Sequence, residues 1–149
     1  MTNDFLDMLS ALSAEEVEYL VVGAYALAAH GYPRATGDLD LWVRRSTSNS
    51  ERLWRALLRF KAPMSDVTLN DFLEPDLVYQ IGVAPRRIDI LTSIDGVDFE
   101  EAWPRRGTQE VSGLFLPILS REDLTRNKRA TGRPKDLADL AWLEADDPA

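Results

Sequence analysis

Apolar residues recur along the chain with two different periods, and the changes of period mark out its elements. Phe5, Leu6, Leu9 and Leu12 stand at helical spacing, which predicts a short amphipathic helix over Asn3 to Leu12. Ser13 and Glu16 have the spacing of a capping box, so a further helical turn is expected over Ala14 to Glu18. Tyr19 to Val22 is a short continuous apolar run, the pattern of a buried strand. Gly23 ends it, and Ala24 to His30 reads as a helix stopped by Gly31, with Pro33 just beyond. Leu39 to Val43 predicts a second strand. Ser48, a good N-cap, opens a helix to about Phe60 that is expected to bury Leu53, Trp54, Leu57 and Leu58.

Farther on, Asn70 to Leu73 has room for a single turn. Val78 to Val83 and Arg87 to Leu91 read as strands joined at Ala84-Pro85. Phe99 to Trp103 reads as a helical turn, and Gln109 to Leu119 as a hairpin through Ser112-Gly113. Arg121 to Ala130 and Pro134 to Leu143 predict two helices, the second with proline in its first turn and Leu137, Leu140 and Ala141 facing inward. Trp42, Trp54, Trp103 and Trp142 read as core or rim. The order of elements implies a mixed sheet flanked by helices, an α+β domain with α/β-like character. With 149 residues and no internal repeat, a single domain over 1–149 is expected.

Composition narrows the chemistry. The chain has no cysteine and one histidine, His30, which excludes thiolate chemistry and a multi-histidine zinc site. The longest apolar stretch, Leu20 to Ala29, holds Gly23 and is far short of the ~20 residues that span a bilayer. The chain starts Met1-Thr2-Asn3-Asp4, acidic where a signal peptide is basic, so a soluble cytoplasmic domain is expected. The net charge is −8, which disfavours non-specific nucleic-acid binding. Against that background, Arg121, Arg126, Lys128, Arg129, Arg133 and Lys135 form a basic island, which suits a compact polyanion such as a nucleoside triphosphate.

The strongest chemical signal has two parts. Val21-Val22-Gly23-Ala24 is followed, after thirteen residues, by Asp38-Leu39-Asp40-Leu41. Gly23 falls at a strand-to-helix turn, where a missing Cβ lets backbone N–H groups approach a ligand and the following helix presents its positive end. Asp38 and Asp40, two apart in an extended segment, share a face. Paired carboxylates repel and bury badly unless a cation lies between them, and oxygen-only ligands suit Mg²⁺ or Mn²⁺. Asp89 has the same character: in Arg87-Ile88-Asp89-Ile90-Leu91 the isoleucines fill one face and Asp89 the other. Each aspartate taken singly also has a plain structural reading, as a solvated strand-edge side chain or a turn former.

Together, VVGAYALAAHGYPRATGDLDLWV, RRIDIL and RNKRATGRPKDLADL resemble the nucleotidyltransferase superfamily of DNA-polymerase-beta type. More narrowly, they look like its small prokaryotic branch of minimal nucleotidyltransferases and abortive-infection toxins. The resemblance implies two-metal transfer of an NMP from an NTP, with Asp38 and Asp40 as metal ligands and Asp89 as third ligand and candidate base. It also implies that Gly23, Ala24, Arg34, Thr36 and Lys128 lie near the nucleotide, with Arg133 a weaker member of that set. An antitoxin protein is the partner this branch implies. The family usually carries Gly or Ser where this chain has Ala24, which keeps the N–H donor and loses the hydroxyl.

Beside these picks stand quieter ones. Lys128 is expected to be a surface lysine that matters little to folding, and Asp136 and Asp139 to be helix-start acids, with Lys135 pairing Asp139. His30 is expected to end its helix. The acceptor stays open between a tRNA end, a protein hydroxyl and a small molecule. The rival from another class is a nucleotide- or partner-binding domain without turnover.

Overall fold

A computed structural model of the chain describes residues 1–32 and 37–145. Thr2 accepts the Phe5 N–H and so caps α1 (Asn3–Ala14), which turns Phe5, Met8, Leu9, Ala11 and Leu12 onto one buried face. The capping box expected at Ser13 does not form. The helix runs on through Ala14, Glu15 caps its end, and Glu16 at φ 57° redirects the chain toward β1 (Tyr19–Val22). Then follow α2 (Gly23–Ala29), β2 (Leu39–Val43) and α3 (Thr47–Phe60). The cap of α3 is Ser46, not Ser48; its hydroxyl accepts the Asn49 N–H. α3 buries Leu53, Ala56 and Leu57, but leaves Trp54 half-buried and Leu58 exposed. Leu58 stands about 100° round the helix from Leu57 and so falls off the stripe that packs on α1.

A 3₁₀ turn at Leu69–Leu73 leads to β3 (Val78–Ile81) and β4 (Ile88–Leu91), and α4 (Phe99–Ala102) follows. The hairpin of β5 (Gly107–Val111) and β6 (Leu114–Ile118) turns through Ser112 and Gly113, both at positive φ. Two helices end the described chain, α5 (Arg121–Thr131) and α6 (Pro134–Ala145). The sheet order is β3-β4-β2-β1-β6-β5, mixed, with β2 and β4 parallel, β1 and β6 parallel, and the other neighbours antiparallel. Buried apolar residues of sheet and helices form one contiguous cluster, so the α+β expectation holds. Among the described residues, no helix is long and apolar enough to cross a membrane.

One polar side chain fixes the start of the sheet. Asn49 is fully buried, accepts the Glu18 N–H at 2.7 Å, and donates to the Glu18 and Arg44 carbonyls at 2.9 Å each. It thereby ties the entry of β1 to the exit of β2, whose antiparallel register runs from Tyr19↔Val43 to Val22↔Asp40.

The face of α6 is a correction. Helical spacing faces Leu137, Leu140 and Ala141 inward, yet Leu137 is 54% exposed, Ala141 is exposed and Leu140 is half-buried, while Asp136 and Asp139 are buried with Leu143. The reason is electrostatic. Lys128 on α5 places its Nζ 3.2 Å from both Asp136 Oδ1 and Asp139 Oδ2, and Arg133 adds a 2.6 Å bond to Asp136 Oδ2. Partnered charges can be buried, and these turn the acidic face of α6 toward α5.

Candidate active site

The site starts from strand register. Val22 lies opposite Asp40 across β1 and β2, and Asp40 opposite Asp89 across β2 and β4. Directly opposed residues in neighbouring strands project to the same side of a sheet, so Asp40 and Asp89 meet at one edge of the cleft. Asp38, two residues before Asp40, joins them there. Gly23 follows Val22 with φ +67°, and a Cβ added to it would overlap the Asp40 carboxylate. Its glycine is thus required twice, by backbone conformation and by the approach of Asp40.

Burial, first of all, raises Asp40 to about pKa 7, helped by its hydrogen bond to Asp89 and by the charges of Asp89 and Asp38; Arg87 opposes the shift. Arg87 is a further member of the site, one that the motifs of the sequence do not single out. Its backbone N–H donates to Asp38 Oδ1 at 2.9 Å, and its Nη2 lies 3.2 Å from Asp38 Oδ2. Its Nε and Nη2 bond Asp89 Oδ1 and Oδ2 at 2.7 and 3.2 Å. A signal was present: Arg87 and Asp89 are two apart around a strand, the spacing that puts both side chains on one face.

These groups line a cleft of about 800 Å³, a size suited to a nucleotide. Gly23 and Ala24 open α2 along one side. Asn127, Lys128 and Thr131 of α5 form the far wall, with Arg133, Lys135 and Asp139 beside them. α5 reaches this place because it packs on α2, and because His30, capping α2, donates through Nε2 to the Leu119 carbonyl at 2.8 Å just before α5. Arg34 and Thr36 lie outside the described residues.

Two expectations for this wall need correction. Lys128 is no surface lysine: it is buried, and its ammonium is held by Asp136 and Asp139. Nor is the basic island an open field of positive charge. Arg126 pairs with Glu122 and Asp123, Arg129 with Glu144, and Arg133 with Asp136. The acids come from the same helix or from α6, which lies alongside.

The donor chemistry suits a hard divalent cation: three carboxylates line one cleft, and the buried Asp40 charge is held off by its acidic neighbours. Among the described residues, however, no three such groups stand around a ready-made metal position. The Arg87 guanidinium pairs with Asp38 and Asp89, on oxygens that such an ion would use.

No protein-family model matches the chain, and no curated protein matches it. Solved structures do. A candidate nucleotidyltransferase from Thermotoga maritima aligns at TM-score 0.62 and 18% identity, over 95% of this chain and 91% of that one. An antigenic nucleotidyltransferase-like protein from Paracoccidioides brasiliensis aligns at TM-score 0.48 and 19% identity, over 94% of this chain and 74% of that one. At such identity the likeness is one of fold, and the Thermotoga structure carries it. With its mixed sheet, its helices and the order in which they are joined, this chain has the nucleotidyltransferase fold.

Proposed function

We propose that the chain is a metal-dependent nucleotidyltransferase that moves an NMP from an NTP to a hydroxyl acceptor. The observation that carries this reading is the pair Asp40 and Asp89 on adjoining strands, with the Gly23 turn at the end of β1 packed on Asp40 and Asp38 beside them in a nucleotide-sized cleft. Asp38, Asp40 and Asp89 are the residues that would hold Mg²⁺ or Mn²⁺. When bound, such an ion supplies neutralisation of phosphate charge and makes the acceptor hydroxyl easier to ionise.

The chain's own groups do the rest. The Gly23 and Ala24 N–H groups at the start of α2 are donors for phosphate oxygens. Asp89 takes the proton of the acceptor hydroxyl. The acceptor oxygen bonds to the α-phosphorus, the bond to the bridging oxygen breaks, and pyrophosphate leaves. Arg133 and Lys135 on the cleft wall suit the departing anion. In this reading Lys128, which also lines the cleft, contributes by holding α5 and α6 in place through Asp136 and Asp139.

Incubation with each α-phosphate-labelled NTP, Mg²⁺ or Mn²⁺, and total RNA or cell lysate tests the proposal. Label appears on an RNA end, a protein or a small molecule, and Asp40→Asn loses it. A toxin role with an antitoxin partner belongs to the same reading; it requires growth arrest on expression that Asp40→Asn relieves. One observation favours a second reading, a nucleotide-binding domain without turnover: Asp38 and Asp89 are already engaged by Arg87. Nucleotide binding with no label transfer from any NTP would decide for it.

A further inference from the structure

The Arg87 side chain does more than border the cleft. Of the six carboxylate oxygens on Asp38, Asp40 and Asp89, four accept from or pair with Arg87. Both oxygens of Asp89 face the same guanidinium, a bidentate fork that is the strongest geometry open to such a pair. The side chains concerned are only 28%, 21% and 10% exposed for Arg87, Asp38 and Asp89. Water therefore screens this cluster weakly, and a second cation brought among the same oxygens would meet a guanidinium a few ångströms away.

We propose that Arg87 is the resident cation of the aspartate cluster, and that a divalent metal ion binds by displacing its guanidinium from Asp89 and Asp38. The inference rests on the metal-dependent reading above. It assigns Arg87 a role that reading lacks, that of a built-in competitor setting how tightly the cluster takes metal. The backbone bond from Arg87 to Asp38 Oδ1 is independent of the side chain, so Asp38 stays positioned when the guanidinium leaves. The displaced group has somewhere to go, because Arg87 lines the open cleft. Arginine cannot lose its charge to accommodate the ion, so the exchange must be a movement.

The test uses the full chain without nucleotide. Mn²⁺ affinity is measured by titration calorimetry for the wild type, Arg87→Met, Arg87→Lys and Asp40→Asn. A competitor lost from charge-assisted bonds should tighten Mn²⁺ binding by about tenfold or more in Arg87→Met, with Arg87→Lys between. In the wild type, the Arg87 Nε–H resonance should also lose its hydrogen-bonded position as Mg²⁺ is added. If Arg87→Met folds poorly, that resonance still decides the matter in the unaltered chain. Equal or weaker Mn²⁺ binding by a folded Arg87→Met, or an Nε–H resonance unmoved at saturating Mg²⁺, overturns the inference while wild-type binding that Asp40→Asn abolishes leaves the metal reading intact. Absence of binding by both wild type and Arg87→Met sinks the inference and the metal reading together.

Discussion

Gly23 packs directly on Asp40: the turn that starts α2 passes so close to the Asp40 carboxylate that a Cβ at Gly23 would force that carboxylate aside. Gly23→Ala should therefore harm stability and site at once. A left-handed conformation costs a non-glycine residue about 1–2 kcal/mol, and displacement of Asp40 adds to that. We expect a melting temperature lower by several degrees and loss of nucleotide transfer. An unchanged melt, measured by calorimetry, would show that the turn can relax away from Asp40.

The Asp40 carboxyl gives the metal-free protein a pH dependence of definite sign. Folded, it keeps its proton until about pH 7; its ordinary value is 3.8. Between these values the folded state binds more protons than the unfolded one, so stability falls as pH rises from about 4 to about 7. Urea unfolding at pH 5 and pH 8 should reveal the loss. Asp40→Asn should flatten that slope and be at least as stable as the wild type at pH 8. Asp38→Asn should not stabilise, because it weakens the pairing with Arg87. A slope of the opposite sign in both wild type and Asp40→Asn would assign the pH response to other groups.

Lys128 carries a stability prediction opposite to the one its sequence suggests. Truncation to alanine leaves Asp139 and Asp136 buried with one cation fewer, and breaking a buried pair costs about 3–5 kcal/mol. Arg129→Ala, which removes an exposed pair with Glu144, should cost under about 1 kcal/mol. Chemical denaturation separates the two. Equal small losses would mean that the α5–α6 contact tolerates water.

Asp136 makes the same cluster acid-sensitive. Burial pushes its carboxyl up, but hydrogen bonds from Arg133, Thr131 and Lys128 outweigh burial and hold it well below the usual carboxylate range. A depressed folded pKa stabilises above the ordinary value of 3.8 and is lost as pH falls below it. Acid unfolding of Asp136→Asn should thus show a shallower loss between pH 4 and pH 2 than the wild type, from a lower starting stability.

Asn49→Ala should cost about 2–4 kcal/mol, since three backbone groups lose their buried partner. Hydrogen exchange at the β1–β2 ladder is the sharper readout, and unchanged protection there would contradict the stapling role.

What could be read from the sequence was what depends on near neighbours. The runs Tyr19–Val22 and Leu39–Val43 declare themselves as strands by unbroken apolar character, and the i, i+2 rule faces Asp38 with Asp40. The same rule would have paired Arg87 with Asp89, but arginine beside aliphatic residues also reads as a solvated strand end. Lys128 could not be read correctly, because its burial depends on Asp136 and Asp139 arriving from another helix. Once those acids turn inward, Leu137 must turn out. Helical periodicity alone assigns the apolar side to the core and has no term for a paired charge.

The cleft joins residues far apart in sequence: Gly23 and Asp139 border the same space. A molecule seated there joins the start of α2 to α6, so its binding energy falls on contacts between elements far apart in sequence. Such contacts carry a large loop-closure entropy, and holding them shut removes partial openings as well as complete unfolding. An occupant of this cleft would act as a clasp on the whole chain, slowing hydrogen exchange in α6 and in β1 alike, although neither touches the other along the sequence.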